Sequence, residues 1–318
     1  MEITLHPFTP NNQFAWDTFV DKARNGTFLF KRNYMDYHSN RFQDASLLFM
    51  RGGKLIAVFP ANFETESKYI WSHQGLTYGG LLLSLKCTMH DTAECFKLMH
   101  NYYKNQGARH LIYKPVPSIY HTYPAEEPLY ALYREGATLI SRGISSCISL
   151  KNCIPLTESR KSGLRKALKI HLKVRQSNHI EDYRKFYQVL DNCLLREHGT
   201  HPVHTLNEIM LLTNRFPDNI KLFLAVDAED NVLAGIWVFI CGKVVHTQYM
   251  AASYEGKKNG ALDLVVVELI NYIQQDYEYL DFGISTENGG AILNEGLIFQ
   301  KEGFGGRGIC YDAWKMEL

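Results

Sequence analysis

The 318-residue chain spells one succession of secondary-structure elements twice, and that doubling restricts its fold more than any single motif. In the first half, Leu47-Leu48-Phe49-Met50 and Leu55-Ile56-Ala57-Val58-Phe59 flank Gly52-Gly53-Lys54. This is a hairpin signal, because glycine accepts the positive φ of a tight turn. In the second half, residues 222–226 and 232–241 flank 227–231 in the same way. Each hairpin leads to an aromatic-rich strand, Tyr69-Ile70-Trp71 or residues 244–249, and then to a long helix, 91–106 or 261–275. In the later helix Leu262, Val265, Val266, Leu269 and Ile273 recur at helical spacing. A further strand follows, at 110–113 or 279–282, and a short helix and a last strand, at 138–150 or 309–316, close each half. Helices at 12–23 and 181–198 precede the hairpins, the second with Tyr183, Phe186, Tyr187, Leu190 and Leu194 on one face. The pattern predicts an α/β chain of mixed, mostly antiparallel sheets flanked by helices. It divides into domains at 1–152 and 174–318 around a basic linker helix at 153–173.

Composition narrows the function classes. With 46% hydrophobic and 13% aromatic residues, the chain is expected to be folded throughout. Lys+Arg 34 against Asp+Glu 33 leaves a net charge of +1, so no global field recruits DNA or an anionic membrane, and any basic function is local. The seven cysteines (Cys87, Cys95, Cys147, Cys153, Cys193, Cys241, Cys310) are scattered without C-x-x-C spacing and read as reduced thiols of a cytoplasmic protein. Met1-Glu2-Ile3-Thr4-Leu5-His6 has neither a basic nor an apolar signal region. The longest apolar run, 232–241, is half a membrane span and reads as a buried strand, so no transmembrane segment is expected.

The densest positive charge lies between the halves, in Thr157-Glu158-Ser159-Arg160-Lys161-Ser162-Gly163-Leu164-Arg165-Lys166-Ala167-Leu168-Lys169. On a helix, Leu164, Leu168 and Leu172 form one stripe, and Lys161, Arg165, Lys169 and Lys173 form another at i, i+4 spacing. Four cations on one face repel unless an anion or acidic neighbours offset them. The segment is therefore either a solvated face or an anion site with Arg160, Arg165 and Lys169 as its contacts, guanidinium forks being suited to phosphate.

Near the C-terminus, Asp281-Phe282-Gly283-Ile284-Ser285-Thr286 leads through Gly289-Gly290 into Lys301-Glu302-Gly303-Phe304-Gly305. A buried strand delivers a carboxylate, a Gly-rich turn follows, and a helix ends on a lysine. Together with Tyr78-Gly79-Gly80-Leu81, the basic joint and the doubled element order, this resembles the tandem-GNAT acyltransferases. That group includes the Fem peptidyltransferases of cell-wall synthesis and acetyltransferases with a BioF2-like domain.

The resemblance implies transfer of an acyl group from a thioester, acyl-CoA, to an amine of a cell-envelope or surface-polysaccharide precursor. The acceptor would be anionic or lipid-linked, with peripheral association at a membrane. It places the donor in the second copy, at Met250 and Ala251 on the fourth strand and at Lys257, Asn259, Gly260 and Ala261 in the loop after it. That loop matches the Arg/Gln-x-x-Gly-x-Gly/Ala pattern only in part, since Leu262 stands where the second Gly/Ala belongs. Residues 82–90 of the first copy have no such loop, so Tyr78 and Gly79 would help shape the acceptor site. Lys301 would stabilise developing negative charge or serve as a helix-dipole partner. Asp281 would be a general base or a loop scaffold, and Tyr249 or Tyr311 would stand in for a general acid. Two other readings remain: a Fem-like transferase taking its donor from charged tRNA, and a catalytically inactive module binding a polyanion.

Two further signals carry less. Gly303-Phe304-Gly305-Gly306-Arg307-Gly308 matches G-x-G-x-x-G but leaves too little chain for a βαβ unit. His198, His201 and His204 are regularly spaced, but Pro202 breaks their helix and no Cys or paired carboxylate accompanies them, so no metal is expected.

Overall fold

The computed structural model describes residues 2–318, the side chain of His198 apart; Met1 lies outside the described residues. Contacts divide the chain into two units. One comprises Met1–Ile144, Thr286–Leu293 and Cys310–Leu318, the other Ser145–Ser285 and Asn294–Ile309. A simple cut at 152 and 174 does not describe this division. The strand that ends each half in sequence is long, 12 residues at Thr138–Ser149 and 11 at Arg307–Glu317, and each is divided between the two units. The supposed linker is also no linker: helix 158–169 belongs wholly to the second unit, with Ala167 fully buried in that unit's core.

In the first unit, β1 (Ile3–Pro7), β2 (Leu47–Arg51) and β3 (Lys54–Phe59) pair antiparallel, and Leu82–Leu83 borders β3. Gly52 and Gly53 make the β2–β3 turn at φ 55° and 75°, the conformation their sequence predicts. A second sheet holds β4 (Asn62–Glu64), antiparallel to β5 (Tyr69–Trp71), which lies parallel to β6 (His110–Tyr113). Trp314–Glu317 then pairs antiparallel with β6. This unit thus carries two sheets where one was expected. Helices α1 (Gln13–Val20), α2 (Met89–Asn105) and α3 (Glu127–Arg134) complete it. Thr88 and Asp91 form a capping box at the start of α2, which buries Cys95, Phe96, Met99 and Tyr103.

In the second unit, the end of β7 (Thr138–Ser149), β8 (Lys173–Ser177), β9 (Ile220–Val226), β10 (Val232–Cys241), β11 (Val244–Ala252) and β12 (Tyr279–Ile284) form a mixed sheet in the order β8-β9-β10-β11-β12-β7. Only β11–β12 is parallel. Helix α4 (Glu158–Lys169) precedes β8, and α5 (Ile180–His198) and α6 (Leu206–Arg215) precede β9. Short α7 (Tyr254–Asn259) and long α8 (Ala261–Ile273) follow β11, and α9 (Glu295–Gly303) precedes β13 (Arg307–Glu317). Alternation sorts the sheet faces: Ala234, Ile236 and Val238 pack in the core with Val265, Val266 and Leu269 of α8. Gly235 and Trp237 lie on the other face, where the Phe186 ring of α5 approaches so closely that a Cβ on Gly235 would come within 2.5 Å of it. Burying about 150 Å² or more for each such aromatic ring fixes α5 against the sheet.

The stripes expected on α4 need correction. Leu168 is 54% exposed and Ala167 is the buried residue, because His171 at φ 59° ends the helix and sends Leu172 into the core from outside it. Lys173 begins β8, so the row of four cations is not helical throughout. Among the described residues no helix is long and apolar enough to cross a membrane. Among the described residues no disulfide joins the seven cysteines; Cys153 and Cys310 are exposed and Cys87, Cys95, Cys147 and Cys241 buried.

Candidate active site

The second unit opens where its parallel ladder stops. Strands β11 and β12 pair through Val244↔Tyr279, Val245↔Leu280 and His246↔Asp281, and then part. Two local features separate them. On β11, Gln248 is an extra residue, since Trp237 faces Tyr249 whereas Val238 faces Thr247, and such a bulge sharpens the twist. On β12, Gly283 at φ 73° bends the chain.

Beside this opening lies a cavity of about 510 Å³, walled by Met250, Ala251 and Ala252 of β11, Gly256 and Lys257 of α7, Gly260, Leu262 and Asp263 at the head of α8, and Leu297 and Gln300 of α9. Met250, Ala251, Lys257 and Gly260 therefore line a groove, whereas Ala261 is fully buried and Asn259 closes α7 outside the lining. Leu262 is half-buried, packed against the core as its spacing suggested while also lining the groove. The expected open loop is largely helical: Ser253 caps α7 through its Oγ, which accepts from the Gly256 amide at 2.9 Å, and Lys257 N–H donates to the Ser253 carbonyl. Intrahelical bonding of α8 begins with Leu264 N–H to Gly260 O, so the amides of residues 261–263 head the helix.

The basic residues near this groove are paired. Arg160 lies 2.8 Å from Asp263, with its guanidinium 5.4 Å from the Phe304 ring centroid. Burial pushes the Asp263 carboxyl up, and Arg160 opposes that shift. Gly163 makes room for this carboxylate, since a Cβ there would lie 2.0 Å from Oδ2. Lys257 is paired with Glu197. Arg165 and Lys169 are exposed, Arg165 lying 3.7 Å from Glu158.

Behind the opening is a buried polar group that sequence reasoning found only in part. Asp281 is fully buried; its Oδ2 lies 2.9 Å from His246 Nδ1, and its Oδ1 accepts from the Ser145 hydroxyl and from Gly283 N–H at 3.2 Å. Lys301 is 4% exposed, and Nζ donates to Gly283 O at 2.8 Å, Ile284 O at 2.9 Å and Ser285 Oγ at 2.9 Å. Burial lowers its pKa to about 8, with Asp281 pulling the other way. Gln300 lines the groove and Lys301 does not. His246 was missed because nothing local marks it: it is one polar residue in a buried strand, and its partner lies 35 residues further on.

Tyr249 stands on the sheet face covered by α5 and α6, stacked on Trp237 at 5.7 Å with its hydroxyl 2.9 Å from His204 Nδ1. It is thus part of the packing on that face. Tyr311 exchanges a 3.0 Å hydroxyl contact with Tyr120 in the first unit. His201 bonds Asp191 at 2.7 Å, and the side chain of His198 lies outside the described residues. Among the described residues no three His, Cys, Asp or Glu side chains converge as metal ligands.

Within the first unit the corresponding gap is closed by its own residues. Beyond Trp71↔Ile112, Gly79 bridges Pro115 and donates to Lys114 O at 2.7 Å, while Lys114 N–H donates to Ser72 Oγ at 2.7 Å. A side chain on Gly79 would put Cβ 1.9 Å from Ser72 O, so glycine is required by this close approach. Tyr78 is 2% exposed, packed among Phe30, Tyr120 and Tyr311. Tyr78, expected from the sequence to help shape an acceptor site, is thus buried among aromatic rings, and Gly79 is held in the ladder.

No protein-family model matches the sequence, nor does any curated protein. Solved structures do resemble the fold. FemX superposes with a TM-score of 0.72 at 12% identity, covering 100% of this chain and 98% of its own. L-PGS from Bacillus licheniformis gives 0.63 at 11%, covering 97% and 91%. The tandem GNAT protein from the clavulanic acid biosynthesis pathway gives 0.56 at 13%, covering 99% and 98%. With an open splay in one unit and a plugged one in the other, the chain has the fold of these structures, the tandem GNAT protein among them.

Proposed function

We propose that the protein is an N-acyltransferase that carries an acyl group from a donor held in its second unit to an amine of an anionic envelope or surface-polysaccharide precursor. One observation carries the reading: the parallel β11–β12 ladder ends at His246↔Asp281 beside a groove of about 510 Å³, while the corresponding gap of the first unit is filled. Acyl transfer needs an activated carbonyl and an amine held together, with backbone donors near the developing oxyanion. A strand end freed by a bulge supplies such donors. Acyl-CoA is the donor favoured here, because Gly260 and Leu262 bring the head of α8 to the groove, where helix amides attract an anion. Arg165 and Lys169, exposed on α4, are the cations left to meet the acceptor's anionic part.

A second reading takes the donor as the aminoacyl ester of a charged tRNA. It is favoured by the pairing of Arg160 with Asp263 and Lys257 with Glu197, which balances the cations beside the groove. The names FemX and lysylphosphatidylglycerol synthetase among the structural likenesses point the same way. Calorimetric titration with acetyl-CoA separates the two. Saturable binding is expected, and no heat up to millimolar CoA rejects the thioester donor and leaves the aminoacyl ester, testable by transfer from charged tRNA. An inactive polyanion-binding module is disfavoured because Arg160 is held by a buried carboxylate.

A further inference from the structure

We propose that the C-terminal end of α4 and the turn after it form a docking surface for an anionic lipid leaflet. This deepens the role given above to Arg165 and Lys169, and rests on the acyl-transfer reading only for its purpose: the anions they meet are lipid headgroup phosphates. Arg165, Lys166 and Lys169 are exposed on α4, and Lys173 is exposed at the start of β8. The one acidic residue of α4, Glu158, stands at its far end, where it bonds Lys161 at 2.9 Å and lies 3.7 Å from Arg165. Among the described residues no carboxylate pairs with Lys166, Lys169 or Lys173. Lys173 faces Val226, just before the acidic turn after β9, but that turn is largely engaged. Asp230 pairs with Arg175 and Lys185, and Asp227 accepts from Asn231, which leaves Glu229 against four cations.

Two aliphatic side chains are set among these cations. Leu168 is 54% exposed and Ile170 46%, and every residue from 168 to 171 is exposed. The fold holds this tip out: Ala167 and Leu172 are buried on either side of it, and His171 at φ 59° turns the chain between them. Leucine and isoleucine are thus presented to solvent inside a basic surround. Lys166 and Lys169 also stand in the last turn of α4, where a cation favours the helix dipole, but that accounts for neither Arg165 and Lys173 nor the two aliphatics. An anionic leaflet satisfies them all, since cations gain from its surface potential and aliphatic chains from burial among the headgroups. Like charge disfavours a second copy of this face as the partner. A polynucleotide is disfavoured because residues 158–173 contain no Phe, Tyr or Trp on which a base could stack. With a net charge of only +1 over the whole chain, the attraction is local and orients the protein on the surface.

Sedimentation with vesicles, in the absence of any acyl donor, tests the surface. Wild type is expected to bind vesicles of phosphatidylcholine containing about one-third phosphatidylglycerol, to ignore phosphatidylcholine alone, and to lose affinity as salt rises above about 0.1 M. Lys166→Gln with Lys173→Gln should weaken binding about 30-fold, at about fivefold for each cation near such a surface. Leu168→Ser with Ile170→Ser should weaken it about tenfold or more. All four positions are exposed, so an unchanged urea midpoint is expected of both double variants and checks their folding. Failure of wild type to bind, or binding by both double variants as tight as wild type, overturns the proposal. Sensitivity to the charges alone also overturns it: the face is then a general polyanion site, on which polyuridylate would compete with the vesicles. Acyl transfer by wild type without vesicle binding rejects the surface alone. Vesicle binding without transfer from thioester or aminoacyl ester rejects the acyl-transfer reading and leaves the surface standing.

Discussion

Replacing Lys301 with methionine keeps a long, flexible chain in the site and removes the ammonium that joins α9 to the bend after β12. Three donors at 2.8, 2.9 and 2.9 Å are lost together. Hydrogen bonds from a charged donor contribute about 1.5–3 kcal/mol each, or roughly 4.5–9 kcal/mol in all. Burial works against them: a pKa lowered from 10.5 to about 8 represents a cost of roughly 3 kcal/mol to the charged form. The difference predicts a loss of about 2–6 kcal/mol at neutral pH, or a fall in Tm of about 4–24 °C for a domain of this size. The pH dependence is more diagnostic. Between about 8 and 10.5 the unfolded chain holds the lysine proton that the folded chain has released, so wild-type stability rises with pH over that window. Methionine has no such proton. The gap between wild type and Lys301→Met should therefore widen from pH 7 to pH 10 by up to roughly 3 kcal/mol, read by urea unfolding at each pH. A gap that stays constant or narrows refutes the buried-ammonium account, and an unchanged Tm refutes the contribution of the three bonds.

Two other substitutions separate backbone conformation from space and pairing from burial. Gly199 and Gly260 both have positive φ, at 63° and 73°, but a Cβ meets nothing within 4 Å at the first and lies 2.1 Å from Gly163 O at the second. Gly199→Ala is expected to cost about 1–2 kcal/mol and Gly260→Ala clearly more, and equal costs in urea unfolding would contradict the close α4–α8 approach. Arg160→Met strands the buried Asp263 carboxylate and should cost about 3–5 kcal/mol, whereas Arg160→Met with Asp263→Leu should recover most of it. Calorimetric melting that shows no recovery in the double variant would place the loss in the Arg160 stem and its Phe304 contact.

Most elements were legible because they are written locally. Two glycines specify the β2–β3 turn, and the apolar period of Val265, Val266, Leu269 and Ile273 specifies the buried face of α8, each by a rule spanning only a few residues. The α4 stripe misled because helical spacing was extended past the His171 turn, where the helix has already ended. Lys301 and Asp281 stood out by composition, but their roles depend on acceptors the chain brings from elsewhere: three for the lysine on a distant turn, and a serine and a histidine for the aspartate.

By itself, then, the sequence determined two copies of one succession of strands and helices, and with them the fold class, since periodicity and turn chemistry act between near neighbours. Tertiary structure alone decided which copy keeps an open splay. Tyr78-Gly79 plugs one gap through hydrogen bonds reaching 35 residues along the chain, to Lys114, while a bulged β11 and the bend at Gly283 leave the other open. It also decided that Arg160 serves Asp263 and that Asp281 serves His246. Partners 103 and 35 residues apart share no local signal, and burial pairs charges only after the sheet has formed.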